Sequence, residues 1–145
     1  MIQRLLRTSD SVPLLIARLT LGIVMLPHGA QKVFGWFGGN GFSATMGFFE
    51  HQGIPAVFGV LAIAAEFLGA LGLLIGLLAR VAAFGVLCNM LVAIAMVHVR
   101  NGFFMNWSGH QKGEGFEYHV LAIGIALAVI VGGAGAASVD RRVSR

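Results

Sequence analysis

Between residues 54 and 99 the chain carries two charged side chains, Glu66 and Arg80. A helix built from such a stretch is apolar around its whole circumference, which only the core of a large protein or a bilayer accommodates. A chain of 145 residues has no such core. The stretch is therefore read as two crossings of ~20 residues each, with a tight turn at Arg80. Helices joined so closely are antiparallel neighbours. Further apolar runs from Pro13 and from Glu117 complete a set of four. The expected fold is all-α, a polytopic membrane protein forming one domain over residues 1–145. It is an antiparallel four-transmembrane-helix bundle, with helices at about 13–34, 54–76, 81–99 and 117–137. Residues 41–52, too short to span, are expected as an interfacial helix between the first two.

Charge placement bears on orientation and on partners. The net charge is +4 and the pI near 10.2, but the basic residues sit at the ends of apolar runs, so they read as orientation signals and lipid contacts and not as a nucleic-acid surface. Arg4, Arg7, Arg18, Arg80, Arg141, Arg142 and Arg145 fall on one side, against Lys32, Arg100 and Lys112 on the other. Both termini are expected in the cytoplasm, with the bilayer as the first partner. The N-terminus is expected to be mature, because Arg18 interrupts the first apolar run and Pro27-His28-Gly29-Ala30 is a poor cleavage site. Cys88 has no partner cysteine in the chain, so an internal disulfide is excluded. It is expected as a buried small apolar residue.

Two outer loops share a character. PHGAQKVFGWFGGNGF, residues 27–42, and residues 101–116 both interleave glycines with aromatic rings, and rings of that kind prefer the headgroup level. Laying His28 on His98 also brings Phe34 onto Phe104, Phe37 onto Trp107 and Gly39 onto Gly109. This weak repeat suggests two similar hairpins.

Polar groups inside the spans are the candidate site residues, because a charge at mid-membrane costs several kcal/mol unless paired or protonated. Glu66 lies beside a stripe of small residues, Ala62, Ala65, Gly69, Gly72 and Gly76, and points toward protein. Counting ~1.5 Å per residue puts it about 18 Å, and Arg18 about 24 Å, below the outer ends of their helices. An Arg18–Glu66 ion pair is expected. His28 and Lys32 stack above Arg18 on one face of the first helix, with His28 bonding the carbonyl that Pro27 frees. His98 closes the third helix near the same depth. Asn89, nine positions earlier, falls on the opposite face of a straight helix and is read as an interhelical hydrogen bond. Glu117 aligns with Gly124, Ala128 and Gly135 toward the bundle, whereas His119 projects elsewhere. The candidate ligand-binding set is His28, Lys32, Trp36, Glu66, His98 and Glu117, walling one outer-leaflet cavity. No residue is given a catalytic role. Histidines at this spacing form no dense ligand motif, so no metal is assigned.

With the spans placed, the chain resembles the DoxX family of small four-helix membrane proteins. The resemblance is carried by HGAQKVFGWFGG from His28, AEFLGALGLLIG from Ala65, Arg80, MLVAIAMVHVRNGF from Met90 and Gly115-Phe116-Glu117-Tyr118. It implies a bacterial inner-membrane protein of a redox system, related to the membrane subunit of a thiosulfate:quinone oxidoreductase, with quinone as the implied cofactor. A redox enzyme or a second copy is the implied protein partner. The alternatives are a non-catalytic anchor or assembly partner for a redox or detoxification enzyme, and a small proton-linked carrier.

Overall fold

The computed structural model describes residues 2–144; Met1 and Arg145, the latter one of the counted charges, lie outside the described residues. A short helix α1 (Ile2–Leu6) precedes α2 (Val12–Phe34). The Ser11 hydroxyl accepts from the Leu14 amide at 3.4 Å and starts α2, with Pro13 in its first turn. Gly35 ends it in the left-handed region. After a 3₁₀ turn (Trp36–Gly38) come α3 (Gly41–His51) and α4 (Ala56–Ile75). Helix α5 (Ala79–Ala93) runs on through a π turn (Ile94–His98) and a 3₁₀ turn (Val99–Asn101). The chain continues into α6 (Glu117–Gly132) and a short α7 (Val139–Val143), with no strand among the described residues.

Three stretches are long and apolar enough to cross a membrane: Val12–Phe34, Ala56–Ile75 and Ala79–Asn101. Helix α6 is apolar but has 16 residues, about 24 Å against a hydrocarbon core of ~30 Å. Helix α2 packs chiefly on α4, α4 on α5, α5 on α6, and α6 more sparsely back on α2. Leu21, Met25, Leu73, Val86 and Val129 are fully buried where they meet. Gly29 lets α2 come close to the backbone of α4, since a Cβ there would lie 2.6 Å from the Phe67 Cα. The small-residue face of α4 receives α5, with Gly69 beside Ala82 and Ala65 beside Gly85. Contacts α2–α4 are the most extensive, and α5–α6 and α4–α5 follow almost equally, so the packing does not single out two separate hairpins. The second connection also has no counterpart of α3.

At the end of the bundle where both termini lie, the fourth helix stops five residues short of its expected end at 137. Gly133 (φ 88°) and Gly135 (φ 74°) turn the chain out of the helix. The unwound segment is held by Arg18, 1% exposed. Its guanidinium donates to the carbonyls of Ala134 (2.8 Å), Ala136 (3.2 Å) and Ala137 (2.8 Å), and to those of Leu73 and Leu74 at 2.7 Å each. The expected Arg18–Glu66 pair is therefore not formed. Irregular backbone deep in protein needs donors for its free carbonyls, and this demand takes up the arginine. Asp140 joins the knot, accepting from the amides of Leu78 (2.7 Å) and Ala79 (2.9 Å) at the start of α5. These bonds hold Leu78 at φ 49°, strained for a residue with a side chain. Arg80 donates to the carbonyls of Ile130, Val131 and Arg7. Arg141 and Asp10 pair at 2.6 Å.

Candidate functional site

At the opposite end, Glu66 is 8% exposed and meets Lys32. The partner four residues above His28 is thus the one Glu66 takes, in place of the more distant arginine. Asn89 donates to the Ala62 carbonyl at 2.8 Å and reaches Glu66 Oε1 at 3.4 Å. Its expected interhelical bond is present and extends to the carboxylate. Lys32 also lines a cavity of about 310 Å³ between α2, the Gly38-Gly39 turn and α3, with Gln31, Asn40, Thr45 and Phe48 among its walls.

A second polar cluster lies where α2, α5 and α6 end. The rings of His98 and His119 stand 4.1 Å apart, those of Tyr118 and His119 5.3 Å, and those of His28 and Tyr118 6.1 Å. His119, expected to project away, is 6% exposed and faces the cluster. The π turn explains how His98 reaches it. One extra residue in a turn sets back the later residues by about 100°, so His98 lies about 80° from Asn89 in projection instead of 180°. His98 Nδ1 lies 2.8 Å from the Glu114 carbonyl, and His28 Nδ1 2.9 Å from the Val24 carbonyl. Pro27 frees the carbonyl of Ile23, so His28 binds a different one from that expected. A carbonyl only accepts, so both Nδ1 atoms carry the proton, and in the neutral rings Nε2 holds the lone pair.

The loop of residues 101–116 is tied down by its own polar groups. The Glu114 carboxylate accepts from the Asn106 amide at 2.7 Å, and its carbonyl also accepts from Asn101 at 3.0 Å. Glu114 acts through loop backbone, a role that has no spacing pattern in the sequence. Glu117 does not face the bundle; its carboxylate accepts from Trp107 Nε1 at 2.9 Å in an exposed position. Gly124 and Ala128 on its expected face are exposed as well. Trp36 stacks on Phe34 at 4.9 Å and is 58% exposed.

The six candidates thus do not wall one cavity. Lys32 and Glu66 form one group, His28 and His98 belong to another with Tyr118 and His119, and Trp36 and Glu117 serve the loops. Among the described residues, the Tyr118 hydroxyl and His119 Nδ1 are buried with no hydrogen-bond partner. A groove of about 170 Å³ runs from Tyr118 along α2 and α6. Cys88 is exposed on α5 and not buried as expected, since a helix apolar all round gives no signal of which face meets the bilayer. Among the described residues no group of three or more His, Cys, Asp and Glu side chains is placed to hold a metal ion.

Three span-length apolar helices enclosing paired intramembrane charges define a small integral membrane protein. The DoxX family model matches residues 13–99, and the chain belongs to that family. Neither the search of curated proteins nor that of solved structures gives a match.

Proposed function

We propose that this protein is a quinone-binding membrane subunit of a bacterial inner-membrane redox system, a four-span antiparallel bundle with both termini in the cytoplasm. The observation that carries the reading is the unmatched Tyr118 hydroxyl, on a residue that lines an apolar groove, with the unmatched Nδ1 of the adjoining His119. Leaving a buried polar atom unmatched costs about 1–3 kcal/mol, a cost that a ligand with polar ring oxygens removes. An apolar wall with a few convergent polar groups is the usual form of such a site. A bound quinone supplies reversible uptake of electrons and protons. Tyr118 offers a hydroxyl donor, and His119 offers a ring nitrogen that donates or accepts. His98 and His28, each with a lone pair at Nε2, offer two further hydrogen-bond acceptors beside the ring. Lys32 and Glu66 neutralise one another, so the interior carries no net charge that would attract water. The orientation follows the excess of arginine at the end where the termini meet.

Thermal unfolding in detergent with a short-chain ubiquinone analogue tests the reading. The wild type should be stabilised by the ligand, as any binder of the native state is. Tyr118→Phe should be as stable as wild type or up to about 1 kcal/mol more so without ligand, because it removes an unmatched hydroxyl. It should then bind the analogue at least about tenfold more weakly, as loss of one buried hydrogen bond implies. If the analogue stabilises neither protein, the anchor reading takes over. That reading is favoured by the exposed loop tips, Phe37, Phe104 and Trp107, which would then face a partner enzyme.

A further inference from the structure

We propose that the seam between α2 and α6 is a lateral entrance from the bilayer and holds the isoprenoid tail of the quinone; the inference rests on the functional reading above. The bundle closes unevenly, and this seam is its most sparsely packed side. Along it the groove runs beside Thr20, Val24 and Met25 on α2 and beside Leu121 and Ile125 on α6, with Tyr118 at one end. Thr20 and Leu121 are exposed, so the groove opens on the outside of the molecule and not into the core.

Thr20 lies near the middle of a helix long enough to span. The groove therefore faces hydrocarbon, where no water is at hand to satisfy polar groups. The groove leads from Thr20 at mid-depth to Tyr118, whose ring lies 6.1 Å from that of His28. A plain acyl chain would cover the walls and leave the Tyr118 hydroxyl unmatched. A chain that ends in a hydrogen-bonding ring satisfies both. The larger cavity beside Lys32 suits a tail less well, because Gln31, Asn40 and Thr45 line it.

Binding of a long-tailed ubiquinone and of its tail-less ring analogue is to be compared in wild type, Thr20→Trp and Val24→Phe. A diazirine on the long tail, activated by light, gives a second readout by mass spectrometry of the labelled peptides. The tail should raise wild-type affinity at least about tenfold through packing against the groove walls, since no water is displaced there. Each filled-groove variant should lose that advantage while its affinity for the tail-less ring stays within about twofold. The diazirine should label wild-type peptides from α2 and α6, a result that needs no variant to fold. Unchanged affinity for the tailed ligand in folded variants, or labelling confined to α4 and α5, would overturn the lateral groove while leaving ring binding in place. Binding of neither ligand to wild type would remove the functional reading and this inference together.

Discussion

Replacing Arg18 by leucine should cost about 4 kcal/mol of stability. Its guanidinium donates to five carbonyls. The Leu73 carbonyl also accepts from the Gly76 amide at 3.3 Å. Those of Leu74, Ala134, Ala136 and Ala137 have no other partner among the described residues. Four carbonyls left unmatched, at about 1 kcal/mol each, give the figure. The low end of the range is used because leucine also removes the desolvation cost of a buried charge. Arg18→Lys keeps the charge with three donors in place of five and should lose about half as much. Equilibrium unfolding in mixed micelles, followed by circular dichroism, measures both. Glu66 lies eight residues, about 12 Å of helix, from Leu74, so Arg18→Leu and Glu66→Leu should add within about 0.5 kcal/mol. A loss below about 1 kcal/mol for Arg18→Leu, or a coupling to Glu66 above that size, would refute the reasoning.

Lys32→Met and Glu66→Leu, by contrast, should be non-additive. A coupling of about 1–2 kcal/mol is expected in a double-mutant cycle, reduced from the fully buried case because Lys32 is 27% exposed. Gly29→Ala should destabilise by about 1–3 kcal/mol, since its new carbon meets the backbone of α4. Gly47→Ala, with open space around it in α3, should be neutral or raise the melting temperature. A cysteine at His110, in a Cys88→Ala background, should react with an impermeant maleimide in intact spheroplasts; reaction only after lysis would reverse the orientation.

The helices are legible in the sequence because apolar composition and length leave a chain little choice. Their ends are less so. Gly135 reads as one of the small positions aligned with Glu117 on a continuing helix, yet glycine also allows the positive φ with which Gly133 and Gly135 end α6. Sequence gives Arg18 a carboxylate partner because residue patterns display side chains and hide backbone carbonyls. Counting 100° per residue sets His98 opposite Asn89, and that count fails at a π turn. Lys32 reads as a cavity wall and not as the partner of Glu66, because its depth, taken alone, does not reveal that its ammonium turns back to the carboxylate.

The reach of Arg18 also bears on how the protein is made. Its carbonyl partners on α4 follow it by 55 and 56 residues, but Ala137 follows by 119. At ribosomal rates of about 5–20 residues per second, the first helix waits roughly 6–24 s for its last acceptor. During that time it sits at the insertion machinery with a charge only partly satisfied. A nascent chain truncated before Ala134 should therefore hold its first helix loosely in the bilayer, and site-specific crosslinking from α2 to the insertase should persist until the C-terminal segment emerges.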